Sequence, residues 1–410
     1  MDPCNPDDMS DRNPGVAASA GIALICILLL TPPAAADASW SYKEVSDPSL
    51  DSIYADISGE YLMYSGSIGD AMDQNSTRVI QIYSLDDGEE RRIATPDAGS
   101  TLTGEAIDGN YAVWFSEPVF GSAADGPNQI FLYSIEGDTS TTIRISETAA
   151  WPKISGDGVV WSESPDESIG SSIRYYDIRT EDTTIIPGIS TIDGADVAFD
   201  GDHILYTDAE TMDLRLYGTV TGTTTTVFER SRLNTTHEII FGTALGGNYV
   251  LYRKDVRTEK PREMYSELCL YTISTGETVL LRPNTGEVTE TLAKQDKEAT
   301  FGSLAADGTH VAWELAEGIA RDRIIVLDPQ TMETSSLSPG TFVDFISIDG
   351  PHMAWLGSDS IGGNGSIYLA TMERGDTMPA TTKPTRAPGI GPVLTVAGLL
   401  AAFQISRRCK

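Results

Sequence analysis

A glycine followed five residues later by a large aromatic residue recurs seven times along this chain. The glycines are Gly59, Gly109, Gly156, Gly201, Gly247, Gly308 and Gly350. The aromatic residues are Tyr64, Trp114, Trp161, Tyr206, Tyr252, Trp313 and Trp355. Neighbouring glycines are 42 to 61 residues apart. A repeat of this length indicates an array of similar supersecondary units, each burying its apolar face against the next.

Each repeat unit is predicted to contain four short strands, a to d. The Ser-Gly or Asp-Gly pair in most units is typical of a tight hairpin turn between strands a and b. Strand b carries the aromatic residue, and strand c is an apolar run such as 79–83 or 129–133. Strand d follows a short polar turn. The period of two in apolar residues favours strands throughout, and helical periodicity is absent from this region.

Seven such units predict an all-β, seven-bladed β-propeller with four-stranded antiparallel blades. The last unit lacks a strand d after residue 370, whereas an unassigned strand at 40–45 precedes the first unit. We therefore expect the N-terminal strand to close the last blade, which removes an open sheet edge. Six or eight blades, or two smaller β-domains separated at 282–300, are the alternatives.

The two ends of the chain are predicted to be targeting segments flanking the propeller at 39–371. Residues 1–38 contain a 15-residue apolar run followed by small residues, which predicts a signal peptide; a buried helix is the alternative. Residues 372–389 form a Thr/Pro-rich stalk. Residues 390–410 combine an apolar run with a basic tail, which indicates a transmembrane or sorting helix.

Two segments resemble known families. Pro388, Gly389 and Ile390, the apolar run after them, and the basic pair Arg407 and Arg408 resemble the archaeal PGF-CTERM sorting signal. That resemblance implies removal of the tail and attachment of a lipid, although Ile390 stands where the family has phenylalanine. An ordinary C-terminal anchor is the alternative.

The segment 152–161, PKISGDGVVW, resembles the TolB-like propellers of archaeal surface proteins, which implies the fold but no activity.

Charge and cysteine content exclude several classes of protein. The 60 acidic residues outnumber the 28 basic ones, giving a formal net charge of −32. This balance excludes a nucleic-acid binder held by a basic patch and suits an extracellular surface. Of the four cysteines, Cys269 alone lies outside the terminal segments, which excludes a disulfide framework or a cysteine-based zinc site. We expect the protein at the extracellular face of the cell membrane.

Loop lengths differ between the two faces of the predicted propeller. The a–b and c–d turns are short and share one face, here called the turn face. The b–c connections, such as 253–266, and the d–a connections, such as 282–300, vary in length and share the other face, here called the loop face, where binding usually occurs. The glycosylation sequons at Asn75, Asn234 and Asn364 are all predicted to lie on the loop face. The stalk is expected to leave from the turn face.

No catalytic, cofactor-binding or metal-binding residue is assigned from the sequence. His203, His310 and His352 share one repeat position in separate units, which favours packing at the start of strand b. The acidic cluster at 193–208 and the pair Asp359 and Asn364 offer oxygen ligands for calcium, with a solvated acidic surface as the alternative. No nucleophile elbow or other enzymatic signature is present, and a glycosidase-type carboxylate pair stays open.

The sequence therefore favours a non-enzymatic cell-surface propeller. Its loop face would bind a protein, a glycan or another envelope component, and its C-terminal anchor would attach the protein to the membrane. Two alternatives remain: an extracellular carbohydrate-active lyase or hydrolase with its site at the mouth of the channel, and a purely structural envelope protein.

Overall fold

The computed structural model describes eleven stretches of the chain, and their residues form seven antiparallel sheets. The stretches are 39–69, 77–119, 126–164, 170–192, 197–231, 236–259, 262–282, 288–289, 300–316, 322–360 and 363–373. Each sheet is one blade, so the predicted all-β, seven-bladed propeller is confirmed.

The strands are numbered in chain order, beginning with β1 (Ser39–Glu44). Blade 1 contains β2 (Leu50–Ser58), β3 (Tyr61–Ile68), β4 (Thr77–Ser84) and β5 (Glu90–Ala94). Blade 2 contains β6 (Ser100–Asp108), β7 (Tyr111–Pro118), β8 (Asn128–Ser134) and β9 (Thr139–Ser146). Blade 3 contains β10 (Ala149–Ser155), β11 (Gly158–Glu163), β12 (Ser172–Asp177) and β13 (Asp182–Ile185). Blade 4 contains β14 (Ala198–Phe199), β15 (His203–Thr207), β16 (Leu214–Gly218) and β17 (Thr224–Phe228).

The remaining strands complete the ring. Blade 5 contains β18 (Thr236–Gly246), β19 (Tyr249–Glu259), β20 (Arg262–Thr272), β21 (Glu277–Leu281) and β22 (Val288–Thr289). Blade 6 contains β23 (Thr300–Ala306), β24 (Val311–Ala316), β25 (Arg323–Asp328) and β26 (Glu333–Leu337). Blade 7 contains β27 (Phe342–Asp349), β28 (His352–Ser358) and β29 (Gly365–Glu373), followed by β1.

The N-terminal strand closes the last blade, as the sequence predicts. β1 pairs antiparallel with β29, in a register that runs from Ser39 opposite Glu373 to Glu44 opposite Tyr368. The ring is thus fastened by the two ends of the propeller sequence. Both ends lie at the turn face, because Glu373 terminates a strand c. Within the described residues, no helix is long and apolar enough to cross a membrane.

Blade 5 departs from the predicted loop pattern. The described residues of 253–266, predicted as a b–c loop, instead extend β19 and β20, so that each of these paired strands has 11 residues. Val256 within this extension is only 3% exposed, so burying its side chain favours the longer ladder. Residues 288–289, predicted within a d–a loop, pair with β21 as a fifth strand. The last strand ends at Glu373, two residues beyond the predicted boundary of the propeller.

The core consists of seven apolar layers, one between each pair of adjacent blades. The repeat aromatics supply the centres of these layers and are each at most 3% exposed. Every one of them belongs to the layer shared with the preceding blade; Trp161 of blade 3, for example, packs with Val113 and Phe115 of blade 2. Because strand b is covered on both faces by neighbouring blades, its apolar run is nearly continuous.

Hydrogen bonds at the turn face join neighbouring blades. All seven repeat glycines have positive φ angles between 54° and 91°, as tight a–b turns require. In blades 1, 2, 6 and 7 the side chain of the residue before the glycine accepts a hydrogen bond from the amide of the repeat glycine in the next blade. The Asp349 carboxylate accepts from the Gly59 amide at 2.6 Å, and the Asp307 carboxylate accepts from the Gly350 amide at 2.6 Å. These bonds account for the pair Asp-Gly in blades 2, 6 and 7.

Candidate functional site

The innermost strands of the blades surround a central channel with a cavity volume of about 1610 Å³. Residues of all seven blades line it. Among the described lining residues, eight carry carboxylates and three carry cationic groups. The carboxylates are Asp56, Glu105, Asp108, Asp200, Glu238, Asp307, Asp344 and Asp349. The cations are Arg78, Lys153 and Arg230. The channel is therefore an acidic cavity.

A β-bulge interrupts the innermost strand of six blades at one common level. This level lies about five residues before the repeat glycine. From blade 1 to blade 7 the residues five positions before the glycine are Tyr54, Gly104, Trp151, Asp196, Gly242, Ser303 and Phe345. A bulge bends its strand and redirects a side chain, so this level is where the channel wall departs from regular sheet.

Among the described residues, four aromatic side chains line the channel at this level, and we call them the aromatic belt. They are Tyr54, Trp151, Phe241 and Phe345, from blades 1, 3, 5 and 7. Trp151 is 36% exposed, Phe241 is 62% exposed and Phe345 is 40% exposed. The described residues at the same level in the even-numbered blades are small, as with Gly104 and Ser303. Large apolar side chains left open to water in a cavity are typical of a binding site.

Two residues of the belt have a strained backbone. Trp151 has a φ of 55° and Phe345 has a φ of 45°, a region that bulky side chains rarely adopt. Gly104 occupies the equivalent position in blade 2 with a φ of 66°, so the same bend is available to glycine without strain. Each bulky residue costs about 1 kcal/mol or more relative to that glycine. Because glycine could adopt this backbone conformation without strain, the presence of Trp151 and Phe345 indicates that their rings have a role of their own.

Neighbouring side chains fix the rings in place. The Trp151 ring meets Phe115 edge-on, with centroids 5.6 Å apart, and the Tyr54 ring meets Phe345 edge-on at 5.5 Å. The Arg253 guanidinium lies 5.3 Å from the centre of the Phe241 ring. These contacts pre-organise the belt, so less conformational entropy is lost when a ligand binds.

Charged groups flank the belt. Arg78 Nη2 lies 3.1 Å from Glu105 Oε1, and the Glu105 side chain is only 2% exposed. Asp344, next to Phe345 in β27, is open to the channel, and its Oδ1 accepts a hydrogen bond from the Phe345 amide at 3.0 Å. The protein walls around Asp344 raise the pKa of its carboxyl, and the negative charge of Asp322 adds to this effect.

Glu314 lies directly behind the channel wall. Its carboxyl fills the space that a side chain at Gly302 would occupy, and its Oε2 accepts a hydrogen bond from the Ser303 amide at 3.1 Å. Burial raises the pKa of Glu314 to about 7, with the carboxyls of Asp322 and Asp344 adding to the shift. Glu314 therefore holds a proton close to neutral pH.

Glutamine in place of Glu314 is expected to change how stability depends on pH. The folded chain keeps a proton on Glu314 between the usual pKa of 4.5 and about 7, whereas the unfolded chain loses it. Stability of the natural protein thus falls as pH rises through this window. Glu314→Gln removes that loss, so the variant should be more stable by about 3 kcal/mol at pH 8 and equally stable at pH 4. Urea unfolding at both pH values measures the difference; a gap independent of pH contradicts the assignment.

The structure describes only part of the predicted site residues. Asn364 is exposed in the b–c connection of blade 7 on the loop face, as predicted, and its glycosylation stays a prediction. Asn75 and Asn234 lie outside the described residues. So does the predicted sorting motif, Pro388, Gly389, Ile390, Arg407 and Arg408.

The predicted calcium ligands are only partly described. Asp193 and Asp196 lie outside the described stretches. Within those stretches, no three His, Cys, Asp or Glu side chains are grouped to hold a metal ion. Calcium binding by the acidic cluster stays a prediction.

The three aligned histidines lie in blades 4, 6 and 7. The backbone amides of His203 and His310 donate to Asp200 and Asp307, each at 2.7 Å, within the a–b turn. The His352 ring lies 3.2 Å from Thr371 Oγ1, and burial lowers its pKa. This agrees with packing at the start of strand b.

The aromatic belt is the functional feature that sequence reasoning missed. Aligning the repeats on their glycines, and reading five positions back, places aromatic residues in blades 1, 3 and 7 in one column. Phe241 falls one position earlier, at the residue that the register between β18 and β19 skips. The signal was therefore present in the sequence, but the bulges that turn this column into the channel could not be read from it.

Solved structures share the propeller fold. The β-propeller domain of the Trilobed protease from Pyrococcus furiosus, described as having an open velcro topology, matches with a TM-score of 0.57 and 11% identity, over 80% of this chain and 96% of that one. An acylaminoacyl peptidase from Pyrococcus horikoshii matches with a TM-score of 0.56 and 11% identity, over 79% of this chain and 52% of that one. At such identities the likeness shows the fold alone.

The comparisons extend no further than architecture. This chain spans about half the length of the acylaminoacyl peptidase. No family model matches the chain, and no curated protein matches it. In this chain the ring is fastened by the pairing of β1 with β29, whereas the propeller domain of the Trilobed protease is described as having an open velcro topology.

Proposed function

We propose that this chain is a binding protein that holds its ligand in the central channel, at the aromatic belt. The carrying observation is the pair Trp151 and Phe345. Both present large, exposed rings to an acidic cavity from backbone conformations that bulky residues rarely adopt. In proteins, such strain persists at sites where function depends on it.

The setting of this function is proposed to be the outer cell surface. The support is the apolar segments at both ends of the sequence, the resemblance of 388–408 to an archaeal sorting signal, and the net charge of −32. Because both ends of the propeller sequence lie at the turn face, an anchored propeller would turn its loop face outward. Intact mass and membrane partitioning of the native protein test this address; an unprocessed, unanchored chain contradicts it.

Loss of either ring is expected to weaken binding without unfolding the propeller. Trp151→Gly and Phe345→Gly place at the bulge the residue that blade 2 already uses there. The natural protein and both variants would be screened on the same peptide and oligosaccharide arrays. Ligands that the natural protein retains should bind each variant at least about tenfold more weakly.

The control variant is Val220→Gly, which removes an apolar side chain that is 87% exposed and lies away from the channel. It should bind as the natural protein does. Equal binding by the natural protein and by both belt variants, with thermal unfolding unchanged, would place the binding site elsewhere and contradict the proposal.

An extracellular carbohydrate-active enzyme is the second candidate. The observation that favours it is Glu314, a carboxyl protonated near neutral pH with Asp344 close enough to influence it. Against it, the Glu314 side chain is only 7% exposed and is held by the Ser303 amide behind Gly302. Scoring the same arrays for cleavage products tests this candidate directly.

A further inference from the structure

We infer that the aromatic belt binds an extended, basic polypeptide segment that also carries apolar side chains. The inference rests on the proposed binding function and names the class of its ligand. Three features of the channel lead to it: the charge of the wall, the occupation of its polar groups, and the chemistry of the rings.

The charge of the channel favours a cationic ligand. Carboxylates outnumber cationic groups eight to three among the described lining residues. Asp344 is adjacent in sequence to Phe345, so a negative charge stands directly beside the belt. An acidic peptide or an anionic polysaccharide entering this cavity would be repelled, whereas a basic chain would be attracted over the distance of a Debye length.

The polar groups near the belt are largely engaged within the protein. Glu105 pairs with Arg78. Ser303 Oγ accepts from the Ile346 amide at 2.8 Å, and the Ser303 amide donates to Glu314. A neutral oligosaccharide needs several directional donors and acceptors, in addition to an aromatic platform, to fix its hydroxyl groups. This wall offers mainly rings and negative charge, which suits a polypeptide better than a neutral sugar.

The rings can hold both cationic and apolar side chains. Within the protein itself a guanidinium already lies over Phe241, at 5.3 Å from the ring centre. An arginine or lysine of a ligand can make the same contact with Trp151, because an indole ring attracts cations most strongly. Ile239, which is 49% exposed, extends the apolar surface beside Phe241 for aliphatic side chains.

The test uses three probes on the purified full chain. One is a capped octapeptide alternating arginine and leucine, the second replaces each arginine with glutamate, and the third is cellohexaose. Binding would be measured by calorimetry at two salt concentrations. The basic peptide should bind the natural protein at least about tenfold more tightly than either other probe, and more weakly at high salt.

Two variants test whether the basic peptide binds at the belt, and a third variant is the control. Trp151→Gly should weaken the basic peptide about tenfold, the equivalent of one good cation–π contact. Asp344→Asn keeps an acceptor for the Phe345 amide but removes the charge, so it should weaken binding severalfold and reduce the salt dependence. Glu277→Gln removes an exposed carboxylate on the outside of blade 5 and should leave binding unchanged.

The outcomes separate the two proposals. If cellohexaose or the acidic peptide binds in a manner that depends on Trp151 while the basic peptide does not, the belt is a binding site and the polypeptide class is wrong. If the basic peptide binds the natural protein and Trp151→Gly equally, it adheres to the acidic surface and the inference fails. If no probe depends on Trp151 or Phe345, the inference and the proposed function both fail.

Discussion

Alanine in place of Gly246 is expected to destabilise the propeller severely. Gly246 stands where most other blades carry the aspartate or serine that reaches the next blade. Here the two blades meet backbone to backbone, because a Cβ at Gly246 would lie 2.6 Å from the Gly308 nitrogen and 2.7 Å from the Ala306 carbonyl oxygen. Backbone atoms cannot rotate away, so blades 5 and 6 must separate at the core layer that contains Trp313.

We expect Gly246→Ala to lose more than about 3 kcal/mol of unfolding free energy, or to fail to fold. Urea unfolding or the yield of soluble protein measures the loss. Gly126→Ala is the matched control, because a Cβ there meets nothing within 4 Å. A Gly246→Ala protein as stable as the control would show that this contact between blades is not tight.

Removal of β1 is expected to have a similarly large effect. Without it, blade 7 loses its outer strand and β29 becomes an open edge. Tyr42 packs near Trp355, with ring centroids 5.7 Å apart, and its hydroxyl donates to the Pro339 carbonyl at 3.0 Å. Trp40 Nε1 donates to Ser335 Oγ of blade 6 at 3.1 Å, so β1 also joins two blades.

A chain that begins at residue 46 should therefore lose more than about 3 kcal/mol of stability relative to one that begins at residue 39. Comparing these two truncations isolates β1 from everything before it. Melting temperatures in parallel scans give the result. Equal stability of the two chains would mean that the ring holds without its fastening strand.

The architecture followed from the repeat because the repeat is a local signal. A tight Asp-Gly or Ser-Gly turn, an aromatic residue five positions later and a period of two are properties of short segments, and each survives when tertiary contacts are ignored. The closure by β1 also followed, since counting strands leaves the last blade one short. The long hairpin of blade 5 could not be predicted, because the local sequence pattern does not show that Val256 is buried in the folded chain.

The sequence by itself determined the all-β class, seven blades, the order of strands within them, and the acidic surface. Only the tertiary structure decided that Tyr54, Trp151, Phe241 and Phe345 share one level of one channel. Sequence periodicity would bury or expose these residues by alternation, but a bulge shifts the register of the innermost strand and turns their rings inward. The site arises from the bulges and from ring closure, and both depend on contacts between residues far apart in the chain.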